Sequence, residues 1–236
     1  MLRWIALAAC LPLCLAASAT GRSRTSAACP GTLANQLAST GSATQLVTVV
    51  APSRASTQGS LQLWRKAGGW WRAVTGPWAA WLGQRGVSDH KREGDRTTPT
   101  GAFGFLPVMY GIAPSPGVHY RYHRIVCGDW WVEDSRSPWY NRFRHVPCGS
   151  SPPFRVKSED MSRSPTAYRH LAVIAYNTSP VVPGLGSGIF LHASTGRPTL
   201  GCISLPLPQL LTLLHWLRPS RLPLMVIGTH AEIRRF

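Results

Sequence analysis

The best helical pattern in the chain is LPLPQLLTLLHWLRPS (205–220), where leucines recur at helical spacing behind Pro206 and Pro208. Little else supports a helix. Twenty-two glycines and 20 prolines among 236 residues cut the rest into short apolar pieces. Pieces of that length are buried most readily as strands. QLVTVVA (45–51) alternates and is β-branched. GSLQLWRKAGGWWRAVTG (59–76) reads as two strands about a turn at Ala67-Gly68-Gly69, and AAWLGQRGV (79–87) as another with a glycine turn. LAVIAYN (171–177), IFLHA (189–193) and LPLMVIG (222–228) complete the set. DHKREGDRTTPTGAFGF (89–105) is polar and turn-rich, and the segment from Pro107 to Ser164 is too rich in Pro, Arg and aromatics for long helices. The pattern predicts one mainly β domain with one or two short helices, over residues 45–230. Residues 20–44 read as a linker and 231–236 as a C-terminal tail. Trp64, Trp70, Trp71, Trp78 and Trp81 crowd one region, either as a ligand platform or as packing.

The chain begins MLRWIALAACLPLCLAASAT. Arg3, the apolar stretch Trp4–Ala17 and the small residues Ala17-Ser18-Ala19 predict a secretory signal over residues 1–19. The apolar run is short for a membrane span, so no stable span is expected after cleavage. Formal net charge is +16 with only nine acidic residues, which draws such a surface to polyanions. Export removes nucleic acid from the expected partners and favours an anionic cell envelope, with the protein in the periplasm or cell wall. It also permits disulfides. Cys29, Cys127, Cys148 and Cys202 remain after cleavage and allow three full pairings. No CxxC or closely spaced Cys/His set is present, so no metal site is expected. No pair among Asp89, Glu93, Asp95, Glu133 and Asp134 is suited to glycosidase chemistry.

The chemistry-bearing stretch is IFLHASTGRPTLGCISLP (189–206). A cysteine nucleophile needs a base, donors for an oxyanion, and access. His192 ends an expected strand ten positions before Cys202, and the loop between them can bring its imidazole back to the sulfur. Gly201 permits close backbone approach, so the amides of Gly201 and Cys202 can converge on one oxygen. From the cysteine and histidine alone, a disulfide at Cys202 with a packed His192 remains open.

The wider pattern H-A-S-x-x-x-P-T-x-G-C-I-S-L resembles the signature of the L,D-transpeptidase catalytic-domain (YkuD-like) family, in its extracytoplasmic branch with a short His-to-Cys interval. Thr199-Leu200-Gly201-Cys202 fills the family's Ser/Thr-x-Gly-Cys motif. EGDRTTPTGAFGF (93–105) resembles its D-x-x-TP-x-G-x-F segment, VIAYN through GIFLH (173–192) its strand–loop–strand, and DSRSPWYNR (134–142) a middle motif. Leu200 and Ser204 depart from the commoner family residues. The resemblance implies a β-sandwich of mixed sheets and a peptidoglycan L,D-transpeptidase. Cys202 would attack, as thiolate, the bond before the terminal D-alanine of a tetrapeptide stem, with His192 as base and then acid. A thioester would pass its acyl group to an amine of another stem. Water as acceptor, giving an L,D-carboxypeptidase, and a non-catalytic cationic wall-binding protein are the alternatives. No cofactor is implied. The amides of Gly201, Cys202 and Leu200 would form the oxyanion hole. Tyr176, Asn177, Ser194, Thr199 and Arg197 are candidates for the substrate groove. If Cys202 is free, Cys127 and Cys148, which flank DSRSPWYNR, are the natural disulfide pair.

Overall fold

The computed structural model describes residues 31–155 and 158–236. The expected signal segment and Cys29 lie outside the described residues. The strands are β1 (Gln45–Ala51), β2 (Gln58–Ala67), β3 (Trp70–Trp81), β4 (Val87–Ser88), β5 (Thr98–Pro99), β6 (Gly101–Phe103), β7 (Phe105–Gly111) and β8 (Arg121–Arg124). There follow β9 (Asp129–Trp131), β10 (Phe143–His145), β11 (Glu159–Asp160), β12 (Leu171–Ile174), β13 (Phe190–Ala193), β14 (Ile203–Leu205) and β15 (Leu224–Thr229). The α-helix α1 spans Leu207–Trp216. The fold is mainly β, as the short apolar segments predict.

Ten strands make one mixed sheet in the order β6-β15-β1-β2-β3-β14-β13-β12-β7-β8. β1 and β15, β13 and β14, and β7 and β8 pair in parallel; their other neighbours in the sheet are antiparallel. Val47 and Val49 of β1 share a core with Ala172 and Ile174 of β12, although four strands, β2, β3, β14 and β13, stand between β1 and β12 in the sheet order. The sheet therefore curls upon itself, and its inner face makes the sandwich-like core. β9, β10 and β11 form a smaller sheet.

The leucines of α1 explain its position. Leu210, Leu213, Leu214 and Leu217 are fully buried at i, i+3, i+4 and i+7, a single apolar stripe. That stripe meets Leu191 and Ala193 of β13 and Ile203 and Leu205 of β14. Alternation along a strand sends the intervening side chains to the opposite face. Phe190 and Cys202 accordingly join a second cluster with Trp131, Tyr168 and Leu171. The C-terminal end of α1 is held by Gln45, whose side chain donates to the Trp216 carbonyl at 2.5 Å and accepts from the Arg218 amide at 2.8 Å. These bonds satisfy groups that a helix end otherwise leaves unpaired.

The small sheet is pinned to the large one by buried polar contacts. Trp131, 2% exposed, stacks edge-on to Phe190 at 5.2 Å and donates from Nε1 to Asn141 Oδ1 at 2.9 Å. Asp129, fully buried, accepts from His123 Nε2 at 2.8 Å, His145 Nδ1 at 2.7 Å and the Val126 amide at 2.9 Å. Cys127 and Cys148 are joined by a disulfide, with a Cα–Cα distance of 5.3 Å.

Several local expectations change. Residues 31–44, read as linker, pack on the domain. Ala34 and Ala43 are buried with Ile233, and Asn35 Oδ1 accepts from the Trp71 amide at 2.8 Å. The same cluster takes in the expected tail, residues 231–236, through Ile233 and Phe236. Small, aperiodic segments of this kind carry no local signal, because they are held by chain-distant partners. AAWLGQRGV is not one strand: β3 runs on to Trp81, and a Gly83–Gly86 turn leads to β4. The strand at 171 stops at Ile174, and Asn177 adopts a left-handed φ of 51°. Of the crowded tryptophans, Trp64 and Trp71 are buried packing, and Trp70 is 40% exposed. No helix among the described residues is long and apolar enough to cross a membrane.

Candidate active site

β13 and β14 run in parallel, with Leu191 opposite Ile203 and His192 opposite Ser204. Cys202 enters β14 one residue earlier, opposite Phe190. His192 and Cys202 therefore stand diagonally on the same face of adjacent strands, the face turned away from α1. The strand β14 directly after the cysteine is what makes this possible. No strand is expected here from the sequence, because three residues are too few to show alternation.

Both side chains open into one cleft of about 650 Å³. His192 is 7% exposed, and its Nδ1 donates to the Ala193 carbonyl at 2.8 Å. A carbonyl only accepts, so this bond puts the proton on Nδ1 and leaves Nε2 as a free acceptor. Tyr168 packs edge-on against the imidazole at 5.8 Å. Among the described residues, Cys202 is a free cysteine. Its Sγ donates to the Gly188 carbonyl at 3.3 Å and accepts from the Phe190 amide at 3.4 Å.

Burial makes both groups neutral at rest. It pushes the Cys202 thiol up to about 12, aided by Glu159 and Glu133 and opposed by the Phe190 amide and Lys91. It pushes His192 down to about 4, with the Ala193 carbonyl opposing. A standing thiolate, the form expected from sequence, is thus replaced by a thiol beside a neutral base. The physical reason is that neither charged form has enough polar contact to offset its lost hydration.

The turn before the cysteine is tightly specified. Thr199 Oγ1 donates to the Cys202 carbonyl at 2.7 Å and accepts from the Gly201 amide at 3.1 Å, while the Thr199 amide donates to the Leu82 carbonyl at 2.8 Å. Of the three amides expected to face an oxyanion, that of Gly201 is therefore engaged within the turn. Leu200, at 69% exposed, is the outermost residue of this loop. Gly201 has φ +140°, and a Cβ there would lie 2.9 Å from the Thr97 carbonyl oxygen and 3.2 Å from Lys91 Nζ. Gly201→Ala is expected to cost about 1–3 kcal/mol through strain at this backbone position. Urea denaturation against the native chain measures it; equal midpoints would mean the turn relaxes freely.

The expected groove residues divide. Thr199 and Arg197 line the cleft; Tyr176, Asn177 and Ser194 do not. Tyr176 donates to the Leu185 carbonyl at 2.6 Å, and Asn177 Nδ2 donates to the Val182 and Gly186 carbonyls at 2.9 and 2.8 Å. Both brace the 177–186 loop. Ser194 Oγ accepts from the Gly196 amide at 3.0 Å and closes its own turn. Their polar groups are consumed locally, which sequence position alone does not reveal.

Lys91, Glu93, Glu133, Glu159 and Tyr168 also line the cleft; none is a site candidate in the sequence, where Glu93 and Glu133 are weighed only as glycosidase carboxylates. Lys91, 4% exposed, pairs with Asp95 Oδ1 at 2.9 Å. Asp95 also accepts from the amides of Arg92 and Thr97 at 2.7 and 2.9 Å, so the EGDRTTPTG stretch folds into a self-bonded loop over the site. Glu93 Oε2 accepts from Ser187 Oγ at 2.6 Å and from the Tyr140 hydroxyl. Asn141 Oδ1 accepts from the Gly188 amide at 3.0 Å, tying DSRSPWYNR to the loop that carries the Cys202 contact. The quoted motifs were the available signal, but their convergence on one cleft was not.

No curated protein matches the chain. Among solved structures, the helical cell shape determining protein Pgp2 from Campylobacter jejuni is similar at 14% identity and a TM-score of 0.38. The match covers 79% of this chain and 48% of that one, so this chain spans about half its length. The model of the L,D-transpeptidase catalytic domain (YkuD) matches residues 53–229, and the chain belongs to that family.

Proposed function

We propose that the protein is a peptidoglycan L,D-transpeptidase that works through a Cys202 thioester. The observation that carries this reading is the free Cys202 thiol and the unengaged His192 Nε2 opening into one cleft, in a chain of this family. A tetrapeptide stem binds with the carbonyl before its terminal D-alanine beside Sγ. His192 Nε2 takes the thiol proton as Sγ attacks, and the Cys202 amide donates to the oxyanion. The proton passes from His192 to the departing amine, and D-alanine leaves. An amine of a second stem then displaces the cysteine and completes the crosslink. Proton transfer from a neutral thiol in step with attack suits a pair that burial keeps uncharged. The catalytic unit corresponds to residues 45–230, exported behind the 1–19 segment to the periplasm or cell wall. There the basic surface is attracted to an anionic envelope.

Intact-protein mass spectrometry with a tetrapeptide stem, and separately with a carbapenem, tests the reading. A stoichiometric adduct mapped to Cys202 is expected. An adduct elsewhere, or none, would sink it.

A further inference from the structure

Lys91 is a buried cation that the reaction so far does not use. It is 4% exposed and lines the cleft that holds Cys202 and His192. An ammonium has three donors and no acceptor. Among the described residues its one protein partner is Asp95 Oδ1, at 2.9 Å. That carboxylate is itself shared, since it also accepts from the amides of Arg92 and Thr97 and from the Thr97 hydroxyl. Two N–H donors of a buried ammonium are thus without a protein acceptor among the described residues. Donors placed so in a cleft wall call for an acceptor on the ligand.

Two glycines fix where this ammonium sits. A Cβ on Gly186 would meet Lys91 Cε at 2.9 Å and Cγ at 3.2 Å, so the aliphatic stem runs directly against the 177–186 loop. A Cβ on Gly201 would stand 3.2 Å from Nζ, which sets the charge beside the residue before the nucleophile. The charge also reaches the sulfur, for Lys91 is among the groups that oppose the rise of the Cys202 thiol. The oxyanion site lacks a donor at this point. The Gly201 amide donates to Thr199 Oγ1, which leaves the Cys202 amide next to the attacked carbonyl. A single neutral amide holds a full negative charge weakly, whereas a buried ammonium holds it strongly.

We propose that the Lys91 ammonium is the second oxyanion donor, binding the substrate carbonyl oxygen as it takes up negative charge. The proposal deepens the acyl-transfer reading and rests on it. In acylation the S–C bond forms, the carbonyl electron pair moves to oxygen, and His192 Nε2 holds the thiol proton. Lys91 donates a hydrogen bond to that oxygen and gives up no proton. The pair returns as the C–N bond breaks, and His192 passes its proton to the amine of D-alanine. The same donor serves when an amine attacks the thioester.

The test compares two reactions of one sulfur in the full chain, both followed by intact mass. Acylation by a tetrapeptide stem builds an oxyanion. Alkylation by iodoacetamide needs the same thiol and base and builds none. Lys91→Met, which keeps the aliphatic stem, is expected to slow acylation by about 10²–10³-fold. Its alkylation should stay within about threefold of native. Asp95→Asn breaks the ion pair but keeps the cation, and should acylate within about fivefold of native. Equal slowing of both reactions in Lys91→Met, or loss of its cooperative thermal transition, overturns the proposal, because the lysine then only holds the loop. Unchanged acylation in Lys91→Met overturns it too, as does an Asp95→Asn chain that loses acylation as fully as Lys91→Met. A native chain that alkylates but forms no thioester overturns the acyl-transfer reading as well, so the two failures are distinguishable.

Discussion

His192→Gln is expected to slow Cys202 acylation by about 10²–10⁴-fold, the usual range for removing a positioned general base. The effect should sit near the top of that range. A thiol pushed up to about 12 is almost entirely protonated at pH 7, so little attack proceeds without a base. The pH profile separates this from a structural effect. Native acylation should fall only as pH drops through about 4, where the buried imidazole takes up a proton. It should show no limb near 6.5. In His192→Gln that acid limb disappears, and the residual rate climbs about tenfold per pH unit toward 12, because only pre-formed thiolate reacts. A standing thiolate–imidazolium pair would instead give a bell with its acid limb at the cysteine. The same depression weakens the fold in acid. Unfolded His192 binds a proton below about 6.5 but folded His192 only below about 4, so roughly 3 kcal/mol is lost across that interval. Urea midpoints at pH 7 and pH 4 measure it in the native chain, and His192→Gln should lack that contribution.

Trp131→Ala is expected to cost about 3–5 kcal/mol of stability. Its ring is 2% exposed and packs edge-on against Phe190 at 5.2 Å and Tyr110 at 6.3 Å. Little in such a closed cluster can collapse into the cavity left behind, which places the cost at the upper end of core truncations. The loss also removes the Nε1 donor from Asn141 Oδ1, the atom that holds the Gly188 amide. Gly188 carries the carbonyl against Cys202 Sγ, so acylation should slow along with the drop in thermal midpoint. Trp70→Ala is the contrast: at 40% exposed it should change stability by less than about 0.5 kcal/mol. Equal effects of the two substitutions would mean that the Trp131 cluster does not hold the small sheet to the large one.

Legibility in the sequence followed the range of the interactions. QLVTVVA became β1 and the leucine-spaced stretch became α1, because alternation and helical spacing are properties of a few successive residues. His192 and Cys202 stood out for the same reason, since one contiguous segment holds both. Tyr176 and Asn177 looked like groove residues from their place at a strand end. Their side chains instead bond the loop that follows them. Lys91 and Glu133 showed nothing locally, because their surroundings are assembled from β13, the turn before β14 and the small sheet.

The sequence by itself indicated the mainly β class, several of the strands, the helix α1, the family pattern and the candidate nucleophile with its base. These rest on side-chain chemistry and spacing along the chain. Only the tertiary structure decided that residues 31–44 and 231–236 join the core, that burial favours the neutral thiol and imidazole, and that three acidic side chains share their cleft. Burial and charge at a point in space depend on every segment that packs there. The residues that set them, from Lys91 to Cys202, are brought together only when the sheet closes.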